Sequence, residues 1–135
     1  HNTMTASWGS VGELWGKYVS TIYIRPQRYT LEFVEKQDFY SLCFFDEEYR
    51  DALKLCGSKS GRNCDKDAET GLAPAFGQAA PYYQEAKLVF ICRKLYKQDM
   101  QESCFLDRRI LDQNYPGHDL HRVFIGEIVK VLEKD

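Results

Sequence analysis

Two short segments of the 135-residue chain concentrate groups suited to holding an anion. In Arg25-Pro26-Gln27-Arg28-Tyr29-Thr30, two guanidinium groups sit in a proline-stiffened stretch that ends on a hydroxyl. Guanidinium groups, hydroxyls and backbone amides are what a phosphate requires. The segment leaves a strand-like run and enters a helix-like one, and a helix N-terminus favours negative charge. The same residues also suit a plain strand-to-helix turn, with solvated arginines and Thr30 acting only as a cap. The second segment, Gly57 to Lys66, carries Lys59, Arg62 and Lys66 among Gly57, Ser58, Ser60 and Gly61. Glycines let amides approach a phosphate and Lys66 adds a point charge, although solvated loop charges would look alike. The spacing is not that of a nucleotide-binding P-loop.

His118 and His121 have the i, i+3 spacing of some zinc pairs, but they lie at a turn leading into a strand. Only Asp119 stands near them, so no metal is expected. His121 could instead face a ligand and donate a hydrogen bond or a proton, or it could be a satisfied core residue. The five cysteines, Cys43, Cys56, Cys64, Cys92 and Cys104, contain no Cys-x-x-Cys pair and read as reduced thiols of a cytoplasmic protein. Trp8 and Trp15 read as core or interface residues. Asp46, Glu47 and Glu48 look like a helix start, not an acid/base pair.

The elements that would position these groups follow from pattern. Val19 to Ile24 is β-branched and aromatic and stops at Pro26, so it predicts a strand. Thr30 would cap a helix over Leu31 to Lys36, and Phe39 to Phe45 predicts a second strand. Asp46 would cap a helix carrying Tyr49, Ala52, Leu53 and Cys56 on one face, with Gly57 as its stop. Ser58 to Lys66 reads as a polar loop, Asp65 to Gly71 as one helical turn, and Leu72 to Pro81 as irregular chain. Ala86 to Tyr96 predicts a long strand, and Phe105 to Asn114 a short excursion. In the last strand, His121 to Leu132, alternation puts His121, Val123, Ile125, Glu127, Val129 and Val131 on one face. Regular βαβ units are absent, so a mainly β, antiparallel barrel with short helices is expected rather than a doubly wound sheet.

Length fits a single domain over residues 1–135. With 44% hydrophobic and 28% charged residues, the composition is that of a folded domain. A formal net charge of -2 gives no general attraction to nucleic acid or anionic membrane. The longest nearly apolar run, Leu88 to Cys92, is too short to span a bilayer. The opening His1-Asn2-Thr3-Met4-Thr5 resembles neither a signal peptide nor a natural start, so a short N-terminal segment is expected to precede it.

Four motifs in order resemble the flavin reductase-like proteins of the FMN-binding split-barrel fold. They are Asn2-Thr3-Met4-Thr5-Ala6-Ser7-Trp8-Gly9, Ile24-Arg25-Pro26-Gln27-Arg28-Tyr29-Thr30, Ser60-Gly61 with Asp65-Lys66, and His121-Arg122 with Gly126-Glu127-Ile128. The resemblance implies non-covalent FMN and a barrel strand at the first motif, with Asn2, Met4, Thr5, Ala6, Ser7 and Trp8 along the isoalloxazine. It places the ribityl phosphate on Arg25, Arg28 and Thr30, with Pro26, Gln27 and Tyr29 in the same motif. Ser60, Gly61 and Lys66 would add contacts, and His121 would lie beside the flavin as the catalytic candidate. Leu120 stands where many relatives carry an aromatic residue. The implied function is a flavin oxidoreductase that takes electrons from NADH or NADPH and passes them to flavin or another acceptor. The alternative is a non-enzymatic, FMN-bound electron carrier of flavoredoxin type. A homodimer whose second subunit completes the site is expected, with no nucleic-acid or membrane partner.

Overall fold

A computed structural model describes residues 1–134. Strands β1 (Gly9–Leu14) and β2 (Lys17–Ile24) form an antiparallel hairpin through Trp15 and Gly16. Both turn residues have positive φ, 58° and 70°, which matches the twist of the flanking strands. No apolar alternation advertises β1, whose residues are all exposed. β2 pairs with the last strand, β7 (Arg122–Glu133), which pairs with β6 (Leu88–Asp99), which pairs with β3 (Phe39–Phe44). The sheet is therefore antiparallel throughout, in the order β1-β2-β7-β6-β3. Leu72 to Pro81 is not wholly irregular, because β4 (Pro74–Ala75) pairs with β5 (Tyr82–Tyr83). The expectation of a mainly antiparallel β fold with short helices holds.

The helices lie in the connections. Helix α1 (Thr30–Lys36) joins β2 to β3; α2 (Arg50–Ser58) and α3 (Lys66–Thr70) follow β3; α4 (Arg108–Asn114) precedes β7. Three cap expectations fail. Tyr29, not Thr30, is the N-cap of α1, because the Thr30 hydroxyl accepts a distant donor, Asn2 Nδ2, at 2.9 Å. Asp46 leads into a 3₁₀ turn over Glu47–Tyr49 without a side-chain cap, and its carboxylate lies 3.6 Å from Lys87 Nζ. Gly57 does not stop α2, which continues to Ser58 and closes with Lys59 N–H donating to Leu55 O at 3.0 Å.

Both sheet faces are packed. Ile22, Ile24, Tyr40, Cys92 and Phe124 cluster with Val34 of α1 on one face. Val89 and Ile91 pack on Ala80 and Ala86 on the other. A β-bulge at Val129 lets β7 contribute to both faces: Cys92 pairs with Ile128 and Ile91 with Lys130, leaving Val129 over. An extra residue reverses the alternation. Ile128 thus packs on the first cluster and Leu132 on the second, and the single face expected from His121 through Val131 ends at the bulge. Gly126 is required by close packing, since a Cβ there would come within 2.6 Å of the Tyr40 hydroxyl. That hydroxyl lies 2.6 Å from Ser20 Oγ, which donates to Cys92 Sγ at 3.3 Å, so the buried polar trio is satisfied.

Candidate functional site

The sequence-predicted groups fall into two clusters at the end of the sheet where β2 runs into α1. The first gathers around the C-terminal turn of α2. Lys66 is buried, with 6% of its surface exposed, at the start of α3, where Asp65 caps the helix by accepting Ala68 N–H at 3.2 Å. Its Nζ donates to Thr3 O at 2.5 Å and to Cys56 O at 3.0 Å. Arg28 Nη1 donates to the next carbonyl, Gly57 O, at 3.1 Å. Two cations therefore meet at the negative end of a helix dipole. Burial lowers the pKa of Lys66, and Arg28 pushes in the same direction. An ammonium group has three donors, of which these bonds use two.

The chain over Asn2–Trp8 runs across this cluster and forms no strand; β1 begins only at Gly9. The expected barrel strand over the first motif is not formed because its polar groups are taken by helices instead of a neighbouring strand. Asn2 reaches Thr30, Thr3 O receives Lys66, and the Thr5 hydroxyl donates to Leu53 O of α2. Gly61 lies directly under Asn2: a Cβ would overlap Asn2 Oδ1 and sit 3.1 Å from Tyr29 Cδ2. A cavity of about 390 Å³ opens here, lined in part by Asn2, Thr3, Tyr29, Gly61, Arg62 and Lys66. Arg62 stacks 4.6 Å from the Tyr29 ring centroid. Asp67 on the same wall is engaged by His1 at 2.7 Å and by the Tyr83 hydroxyl at 2.6 Å.

The second cluster surrounds His121. The residue is buried just before β7, with its Nδ1 2.6 Å from the Tyr115 hydroxyl. Trp8 and Tyr23 lie against the ring, with centroids at 5.4 and 6.3 Å. Burial lowers the His121 pKa, the Arg25 charge lowers it further, and Asp119 opposes both. Arg25 belongs to this cluster and not to the first. Its guanidinium donates to Asp119 Oδ2 at 2.9 Å and Asn114 O at 3.0 Å, and lies 4.9 Å from the Tyr115 centroid. Gln27 Nε2 donates to the same Asp119 oxygen at 2.8 Å.

The remaining candidates scatter. Ser60 Oγ accepts Arg62 N–H at 3.1 Å within its own loop. Met4 packs on the first core cluster, whereas Ala6 and Ser7 are exposed. Pro26 faces a separate cavity of about 420 Å³ bordered by Leu31, Met100, Leu120 and Arg122. Arg122 is engaged there by Asp99 at 2.6 and 3.1 Å and by Glu35 at 2.6 Å. His118 turns away from His121 to Glu102, which raises its pKa. Among the described residues, no group of three or more His, Cys, Asp or Glu is placed to hold a metal. Sequence reasoning missed Tyr115, and it weighed Asp119 only as a lone carboxylate beside the histidines and not as the partner of Arg25, because nothing local marks a residue whose partner comes from another element.

The whole chain, residues 1–135, matches the family described as Flavin reductase like domain. Among solved structures it is similar to flavoredoxin from Methanosarcina acetivorans, with a TM-score of 0.76 at 20% identity over 99% of this chain and 62% of that one. An FMN-binding protein from Thermus thermophilus, solved with p-hydroxybenzaldehyde, gives 0.73 at 23% over 99% and 65%. A Shewanella frigidimarina protein described as a flavin reductase with a split barrel domain gives 0.69 at 20% over 93% and 57%. The chain thus spans 57–65% of the length of these structures. The fold is the antiparallel split barrel of these neighbours. No curated protein matches the chain.

Proposed function

Since the chain belongs to the flavin reductase-like family, we propose that it binds FMN non-covalently and uses it to move electrons from NADH or NADPH to a flavin or other acceptor. The observation that carries this reading is the convergence of Lys66 and Arg28 beside a cavity lined by Asn2, Tyr29, Gly61 and Arg62. The donor set fits a phosphate: an ammonium with a donor to spare, guanidinium groups, and an amide–hydroxyl pair at Asn2 and Thr30. About 390 Å³ is within the roughly 300–1,000 Å³ range of small-molecule sites. Arg25 is left out of the phosphate set, because Asp119 and Asn114 O already hold it.

FMN, when bound, supplies the hydride-accepting ring; the protein supplies orientation and electrostatics. Lys66, Arg28 and Thr30 anchor the anionic end. His121, kept neutral by burial and by Arg25, offers a hydrogen bond rather than a charge. The protein works as a cytoplasmic homodimer. Val11, Leu14, Trp15 and Tyr18 of the hairpin are exposed, as are Tyr96, Val129 and Val131 beside it, and Trp15 and Tyr96 lie 6.1 Å apart. These side chains lie on both faces of the hairpin, Val11 and Tyr18 on one and Leu14 on the other, so a second copy related by a two-fold axis would have to wrap the hairpin to cover them.

Anaerobic addition of NADH or NADPH to the FMN-loaded protein tests the reading. Rapid bleaching of the flavin band supports the reductase. FMN uptake without bleaching identifies an electron carrier, and a colourless protein that takes up no FMN overturns the proposal.

A further inference from the structure

We propose that Tyr115 is a positioning residue that fixes His121 in the neutral tautomer with its proton on Nε2, so that the ring presents a donor and not a lone pair. The bearing of this on the reaction rests on the reading of His121 as facing the flavin. The tautomer itself does not.

The hydroxyl of Tyr115, the residue that closes α4, lies 2.6 Å from His121 Nδ1 and 3.6 Å from Met100 Sδ. One of two arrangements must hold. Either the phenol donates to Nδ1, which places the ring proton on Nε2, or Nδ1–H donates to the phenol and the phenol donates to sulfur. A thioether is a weak acceptor and an imidazole nitrogen a good one, so the first arrangement is favoured. The Arg25 guanidinium, 4.9 Å from the Tyr115 ring centroid, strengthens the preference. A cation near a phenol makes it a better donor and a poorer acceptor.

Of the groups facing His121, all but Asp119 agree with a held, uncharged ring. Arg25, at the end of β2, repels an imidazolium, and its own position is set by Asp119 Oδ2, Asn114 O and, through the same carboxylate, Gln27. Asp119 draws a proton toward the ring, but its carboxylate is paired with Arg25, and burial with the Arg25 charge outweighs it. Trp8 from the N-terminal segment and Tyr23 from β2 fix the plane of the imidazole by edge and tilted contacts. A donor at Nε2 is the form that stabilises negative charge developing on a neighbouring acceptor atom, with no proton to be picked up first.

The test is the ring ¹⁵N spectrum of His121 in ligand-free, ¹⁵N-labelled protein across pH, with His121→Gln used for assignment. Wild type is expected to show one neutral tautomer protonated at Nε2, with imidazolium forming only below the ordinary histidine range. Tyr115→Phe keeps the ring packing and removes the hydroxyl, so a mixture of tautomers and an upward shift of the titration midpoint are expected. Arg25→Gln should raise the midpoint as well. An Nδ1–H tautomer in wild type, or the same tautomer and midpoint in a folded Tyr115→Phe, overturns the assignment. FMN added to the same wild-type sample reports on the other reading alone. His121 resonances that do not move would take His121 out of the flavin site, with the tautomer result unaffected.

Discussion

Lys66→Met separates a structural lysine from a phosphate-binding one. Methionine matches the length of the stem but removes both bonds of the ammonium, to Thr3 O at 2.5 Å and Cys56 O at 3.0 Å. A hydrogen bond from a charged donor contributes on the order of 1.5–3 kcal/mol. Thr3 is half-buried and water can take over its carbonyl, so the combined loss should be about 2–4 kcal/mol. Removing a charged partner from the phosphate should weaken FMN roughly tenfold or more. Both quantities come from one assay, urea unfolding with and without FMN. At FMN near 100 times the wild-type Kd, bound ligand should stabilise wild type by about 2.7 kcal/mol. A tenfold weaker site reduces that increment to about 1.4 kcal/mol. If the variant loses stability but keeps the full FMN increment, Lys66 serves only the C-terminus of α2 and the phosphate assignment is wrong. If neither quantity changes, the bonds to Thr3 and Cys56 carry no weight and the geometric argument fails with them.

Three further outcomes are expected. Gly126→Ala should cost about 1–3 kcal/mol by driving a Cβ against the Tyr40 hydroxyl and its bond to Ser20, with no direct effect on FMN affinity; an unchanged midpoint in chemical denaturation would refute the packing account. His121, whose folded pKa is lowered, binds its proton less readily folded than unfolded, so stability should rise with pH from that lowered value up to about 6.5 and level off above it. His118, whose pKa Glu102 raises, acts with the opposite sign above about 6.5, so comparing wild type with His121→Gln below that pH isolates His121; parallel curves there would sink the claim. Light scattering should give a dimer for wild type and monomers for Trp15→Glu or Tyr18→Glu, both on the exposed hairpin; a dimer in both variants would place the interface elsewhere, and a monomeric wild type would refute the dimer.

Much of the fold is legible in local pattern. The β-branched and aromatic run Val19–Ile24, the long run that becomes β6, and the alternation of β7 up to Val129 each bury a face, and burial requires periodicity. The α3 turn was readable because Asp65 caps it and Gly71 ends it, two signals that act within five or six residues. The hairpin strand β1 was not readable, since an element that buries nothing within its own chain needs no apolar alternation.

Residue type and order determined which groups could hold an anion and which family the chain resembles. Only tertiary structure decided how those groups are shared out. Arg25 and Arg28 are three residues apart, yet one is drawn to Asp119 and Tyr115 and the other to the carbonyl end of α2. Thr30 gives up a local cap to take Asn2, and the bulge at Val129 turns the last third of β7 over. Each choice is made by a partner distant along the chain, for which a side chain at a turn has no local marker. A buried donor or acceptor must be satisfied by whatever the fold brings within about 3 Å, and sequence spacing does not contain that distance.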